Sequence, residues 1–238
     1  MPRVDPRAAL SALAHEVSLF AALLDREALA EPVPSCPGWT VADLARHLGG
    51  VHRWARQVVL VGPSREPQGP TDPEQVRPWF QDGAAALIDT LAGTDPGQPC
   101  WTLAGPGDAA FWMRRQAHET TLHRWDAATG LGIPSSIDEA VAADGIDEVA
   151  TVFVPRQIRL GRLTPGPEVI DLVTDSGQRK RVSTNTAPPA TPPTVVVSGP
   201  AETLLLLLWK RTSLDDDKLS VSGDRLDADR LLDRPLTP

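Results

Sequence analysis

The first half of the chain repeats its apolar positions with a helical period. Residues 6–29 carry Ala9, Leu10, Leu13, Val17, Phe20, Leu23 and Leu24 at i, i+3, i+4 and i+7 spacing, the stripe of an amphipathic helix. A second helix is predicted after PSCPGW. Thr40 has the short hydroxyl favoured at an N-cap, and Asp43 places a carboxylate in the first turn. From there Leu44, Leu48, Val51, Ala55 and Val58 line one face, until the Gly62-Pro63 pair ends the run. A third helix is predicted over residues 73–91, with Val76, Phe80, Leu87, Ile88 and Leu91 as its apolar set. The fourth begins near Asp108 and ends at Gly130, where glycine is expected to supply the stop.

Past Gly130 the period changes. A short helix is predicted over 137–150. EVIDLVTD (168–175) and QRKRVSTN (178–185) flank a Ser-Gly turn and read as a hairpin. TAPPATPP (186–193) is a proline-rich connection that cannot extend a ladder. A strand at 194–199, an apolar helix at 201–212, a strand at 219–223 and a closing helical turn at 228–232 complete the pattern. The fold class is therefore read as α+β, a four-helix bundle over residues 1–135 followed by a small α+β domain over residues 150–238.

Composition narrows the function. The 238 residues hold 31 acids against 23 bases, a net charge of -8, with no basic block. That argues against non-specific binding to nucleic acid or to an anionic membrane, both of which need clustered positive charge. The N-terminus lacks the apolar core of a signal peptide, and LLLLLW at 204–209 is too short to span a bilayer. Cys36 and Cys100 form neither a metal spacing nor a disulfide framework, so a reducing cytoplasm is the expected setting.

The chemistry concentrates in the fourth helix, in FWMRRQAHETTLHRWDAATG. HETTLH resembles the zinc-protease pattern H-E-x-x-H, but its histidines are five positions apart instead of four. At about 100° per residue His118 points away from Glu119, and the protease reading fails on geometry. The same wheel puts Trp112, Gln116, Glu119, His123 and Asp126 on one stripe, with Arg115 beside it. Glu119 and His123 are one turn apart and share a face. Such pairs are common on solvated helix surfaces. Such a pair is also half of a metal site, because a borderline cation accepts imidazole nitrogen and carboxylate oxygen together. His47, on the shoulder of the second helix near Val51, Trp54 and Val58, is the candidate third ligand. His52 lies on the opposite shoulder and is the weaker choice; His15 and His118 are read as ordinary. Trp39 and Trp54 are candidates to wall a pocket.

VPSCPGWTVADLARHLGGVHRW, together with RRQAHETTLHRWDAATG, resembles the mycothiol-dependent maleylpyruvate isomerase family. VVVSGPAETLLLLLWKR and LSVSGDRLDADRLL are similar to that family's small C-terminal domain. The resemblance implies a DinB-like bundle in which His47, Glu119 and His123 bind a divalent metal, typically zinc, with water completing the coordination. Asp126 is expected as a partner of His123 from its position one turn further along the helix. The resemblance also implies mycothiol as thiol cofactor, bound as thiolate and added to an electrophilic small molecule, in an isomerase or an S-transferase. Arg211 of LWKRT is the implied holder of the anionic ligand, although Lys210 precedes it where the family usually has glycine. Two other readings stand beside this one: a metal-bearing bundle that binds a small ligand or partner without catalysis, and an interaction module with no metal.

Overall fold

The computed structural model describes residues 5–184 and 192–238, so most of the proline-rich connection lies outside the described residues. The chain divides into two compact units, Val4–Ile137 and Asp138–Pro238. In the first, α1 (Pro6–Ala22) packs on α4 (Ala109–Gly130), and α2 (Val41–Leu60) packs on both α3 (Val76–Ala92) and α4. Phe20, Leu44, Leu48 and Phe80 fill one end of this bundle, and Leu13, Ala55, Leu87 and Trp112 the other. A buried ion pair crosses it. Arg124 Nε donates to Glu16 Oε2 at 2.6 Å and Nη2 to Oε1 at 3.2 Å, and Nη2 also reaches the Ser136 carbonyl at 2.8 Å. Removing one partner of such a buried pair typically costs about 3–5 kcal/mol.

Helix ends explain where the pattern and the fold part company. The apolar stripe predicted over 6–29 continues to Leu24 and Leu29, which are buried, but α1 stops at Ala22. Asp25 Oδ1 accepts from the Ala28 amide at 2.9 Å, so a local side-chain bond turns the backbone into a 3-10 turn at Ala28–Ala30. α2 starts as expected: Thr40 Oγ1 accepts from the Asp43 amide at 3.3 Å, and Asp43 Oδ2 accepts from the Thr40 amide at 2.9 Å, a reciprocal capping box. α4 does end at Gly130, yet the left-handed residue is Gly132, with φ 68°. The Ile133 amide then bonds the Ala128 carbonyl at 2.8 Å and the Gly132 amide the Thr129 carbonyl at 3.1 Å. Gly130 serves a different purpose. A Cβ there would lie 2.8 Å from the Pro32 carbonyl oxygen, so only glycine lets the Pro32–Cys36 loop lie against α4. Between α3 and α4 the pattern gave no warning of a hairpin, β1 (Pro99–Thr102) paired with β2 (Gly105–Asp108).

In the second unit α5 (Glu139–Glu148) runs through a π turn, Val149–Phe153, into α6 (Val154–Arg159). Pro155 has no amide to return to the preceding turn, and the Val154 amide reaches back to the Val149 carbonyl. The helix therefore continues beyond the predicted end at 150. β3 (Val169–Thr174) and β4 (Arg179–Ser183) form the expected antiparallel hairpin, and β5 (Val195–Gly199) lies parallel to β3 with Ile170 opposite Val195. β6 (Ser220–Gly223) completes the order β4-β3-β5-β6. α7 (Ala201–Leu208), which packs on α5, β3 and β5, ends four residues before the predicted stop at 212, and α8 (Arg225–Leu232) starts earlier than predicted, at an Asp224 cap. Among the described residues no helix is long and apolar enough to cross a membrane.

Candidate metal centre

α2 and α4 bring three side chains to one point. His47 comes from α2, and Glu119 and His123 stand one turn apart on α4. His47 Nε2 lies 3.1 Å from Glu119 Oε1, and His123 Nε2 lies 3.5 Å from the same oxygen. The imidazole planes are perpendicular, with centroids 5.2 Å apart. One ligand atom from each residue falls within 4.8 Å of the others, a spacing that a single cation between them can span. The donors, two imidazole nitrogens and one carboxylate oxygen, are the set that zinc accepts while keeping a coordination position open.

His123 is oriented from behind. His123 Nδ1 lies 3.0 Å from Asp126 Oδ2, and that carboxylate is completely buried. The carboxylate takes the Nδ1 proton as acceptor, so the Nε2 lone pair faces Glu119. Ser35 Oγ donates to Asp126 Oδ1 at 2.6 Å, and the Cys36 thiol donates to Oδ2 at 3.7 Å. Cys36, His123 and Asp126 thus form a second group of converging ligand atoms that shares His123 with the first. On the other side, His47 Nδ1 lies 3.7 Å from Glu66 Oε1 at the rim. Arg115, also on α4, bonds Glu119 Oε2 through Nη2.

The electrostatics separate the two imidazoles. Burial, together with the charges of His123 and Arg115 and against that of Glu66, pushes His47 down to about 4, so it is neutral at pH 7. Burial also works against a proton on His123, but bonds to Asp126 and Cys36 outweigh it and hold that imidazole above its usual value. His52, the weaker candidate, is absent from the cluster. It is fully buried against Phe80, with Nε2 3.0 Å from Thr120 Oγ1.

His47 opens onto a cavity of about 880 Å³ lined by Trp39, Asp43, Arg46, Arg65 and Glu66 among others. Trp39 meets the His47 ring edge-on at 5.2 Å. Trp54 does not line this cavity; it packs with Trp101 and Trp112, and its Nε1 donates to the Ser64 carbonyl at 2.9 Å. His15 is exposed, and His118 is buried outside the cluster. Arg211 belongs to the second unit, where it is half-buried just past α7 and its Nη1 donates to the Trp209 carbonyl at 2.7 Å. Lys210 before it has φ 58°, the left-handed conformation that favours glycine. Sequence reasoning did not find Ser35, Cys36 and Glu66. They lie in loops, where no period marks which side chains turn inward.

Comparison with known proteins identifies the family and the fold. Residues 10–128 match the family described as mycothiol maleylpyruvate isomerase N-terminal domain, and residues 140–230 match its C-terminal domain. No curated protein matches the sequence. Among solved structures, mycothiol-dependent maleylpyruvate isomerase and a histidine-to-alanine mutant of it each superpose with a TM-score of 0.69 at 16% identity. Both matches cover 94% of this chain and 97% of the other. The fold is thus the one those proteins have, and the chain belongs to the mycothiol-dependent maleylpyruvate isomerase family.

Proposed function

We propose that the protein is a metal- and mycothiol-dependent enzyme that adds a thiolate to an electrophilic small molecule, as an isomerase or an S-transferase. The observation that carries this reading is the convergence of His47 Nε2, Glu119 Oε1 and His123 Nε2 beside an open cavity. These three residues would hold a divalent cation, zinc foremost, as single-atom donors. When bound, such a cation supplies the Lewis acidity that makes a thiol available as thiolate near neutral pH.

The chain's own residues do the rest. His47 is neutral in the free protein and accepts a cation without first losing a proton. Asp126 fixes the His123 tautomer, and Ser35 and Cys36 fix Asp126. Trp39 bounds the approach to His47, and Arg46 and Arg65 give the cavity wall cationic groups suited to an anionic substrate. Arg46 is partly committed, since it donates to Asp43 at 2.9 Å and to the Pro70 carbonyl at 2.7 Å. Arg211 keeps the role that family resemblance implies, binding an anionic group of the ligand. The reducing cytoplasm remains the proposed compartment.

A turnover screen tests the reading: mycothiol with candidate electrophiles, maleylpyruvate included, with and without added zinc. Thiol-dependent consumption of one electrophile, abolished by a chelator and restored by zinc, supports it. A well-folded, zinc-loaded protein that turns over none of them would favour a non-enzymatic ligand-binding member instead.

A further inference from the structure

The two oxygens of Glu119 face different partners. Oε1 faces His47 Nε2 at 3.1 Å and His123 Nε2 at 3.5 Å, while Oε2 is bonded by Arg115 Nη2. Arg115 sits one turn before Glu119 on the same helix, and its side chain is only 5% exposed. We infer that Arg115 is a positioning residue that restricts Glu119 to single-oxygen ligation and, as a buried cation, makes the remaining coordination position favour an anionic sulfur ligand over a neutral one. The inference rests on the metal reading proposed above and deepens it.

Coordination geometry gives the first half of the argument. A carboxylate beside a divalent cation binds through one oxygen or through both. Two-oxygen binding by Glu119 would fill the position that a catalytic site keeps open for its substrate. A guanidinium on Oε2 opposes this, because a charge-assisted bond must be broken before that oxygen can turn to the metal. Lysine at the same position would supply the charge but not the planar fork.

Charge gives the second half. Among the described residues, the charged groups seen in contact with the three ligands inside the bundle are Glu119 itself, half-buried, with Asp126 behind His123 and Arg115, both buried. Two carboxylates and one guanidinium leave one negative charge, and a divalent cation converts that to one positive charge. Glu66 near His47 is 43% exposed in its side chain, so water screens it. Uncompensated charge in a partly buried site is costly, and an anionic fourth ligand removes it. A thiol entering the site therefore gives its proton to water or buffer and stays as thiolate. Without Arg115 the same groups and cation sum to zero, and the preference for an anion weakens.

Cobalt(II) makes both halves visible without any assay of turnover. The full chain and the variants Arg115→Gln and Arg115→Lys are loaded with cobalt(II), and the visible d–d absorption is recorded. Each is then titrated with 2-mercaptoethanol and, separately, with imidazole as a neutral ligand. The wild type is expected to show the intense absorption of low coordination and a sulfur-to-cobalt charge-transfer band. Arg115→Gln is expected to show weaker d–d absorption and to lose about tenfold or more in thiol affinity, with imidazole affinity changing less. Should Arg115→Gln fail to fold by circular dichroism, Arg115→Lys decides: weakened d–d absorption with thiol preference retained supports the inference. Variants with wild-type spectra and wild-type thiol affinity overturn it while leaving the metal reading intact. A wild type that takes up no cobalt overturns the metal reading itself, and this inference with it.

Discussion

Replacing Asp126 by Asn removes a single charge and keeps the shape, and the structure says which way the amide must turn. Ser35 Oγ donates to Oδ1 at 2.6 Å, so the amide oxygen stays on that side. The NH₂ group then takes the place of Oδ2, facing His123 Nδ1 at 3.0 Å and the Cys36 thiol. A donor there requires Nδ1 to accept, which shifts the ring proton to Nε2, the nitrogen that faces Glu119 and His47. His123 thereby loses the lone pair it would give to a metal. Loss of a partner behind a ligating histidine typically weakens metal binding 10–100-fold, and the tautomer inversion places Asp126→Asn near 100-fold, about 2.7 kcal/mol. Competition for zinc against a chromophoric chelator measures it, with circular dichroism to show that the fold persists. Zinc affinity unchanged within about threefold would refute the idea that Asp126 dictates the tautomer.

Three further outcomes are expected. Lys210 is left-handed at φ 58°, and its amide and that of Arg211 cap α7 by bonding the Leu207 and Leu206 carbonyls at 3.1 and 2.8 Å. Lys210→Gly should therefore stabilise the protein by about 1 kcal/mol in thermal unfolding, and no gain would mean that the strain is absent. Gly130→Ala pushes a methyl group against the Pro32 carbonyl, so it should cost about 1–3 kcal/mol and weaken zinc binding through the displaced Ser35–Cys36 loop; a neutral effect on both would contradict the close approach. His52 is held down to about 3 by burial, then by the charges of Arg53, His47 and His123, so the unfolded chain takes up its proton first. Its contribution to stability is complete above the unfolded value near 6.5 and is lost as pH falls, roughly 2 kcal/mol by pH 5. His123, held above its usual value, acts in the opposite sense and loses its contribution as pH rises. Urea midpoints at pH 7 and pH 5 should fall less for His52→Gln than for the wild type, and equal falls would show that His52 titrates normally.

Helical angles made most of the centre legible. Glu119 and His123 share a face because they are four residues apart, and His47 follows from its place on the shoulder of the α2 apolar stripe, in a helix that starts at the expected Thr40 cap. Arg115 fell beside the stripe on the same wheel, yet a wheel cannot tell which carboxylate oxygen an arginine takes. The Pro32–Trp39 loop was opaque for a different reason. Its conformation depends on a backbone contact with Gly130, far away in sequence, so nothing local announces that Ser35 and Cys36 turn towards Asp126. Helix ends were legible where a cap is made by neighbours, as at Thr40. They were misjudged where a buried leucine continues the period after the backbone has already turned, as at Leu24 and Leu29. The helix predicted to end at 150 errs in the opposite direction, since a π turn over Val149–Phe153 carries it on into α6.

The central claim is that His47, Glu119 and His123 together hold a divalent cation. Elemental analysis of the purified protein, after dialysis against zinc and then metal-free buffer, tests it most directly when run beside His47→Ala and His123→Ala. Stoichiometric zinc in the wild type and its loss in each folded variant is the predicted result. A wild type that retains no divalent ion, or variants that retain as much as the wild type, would contradict the account.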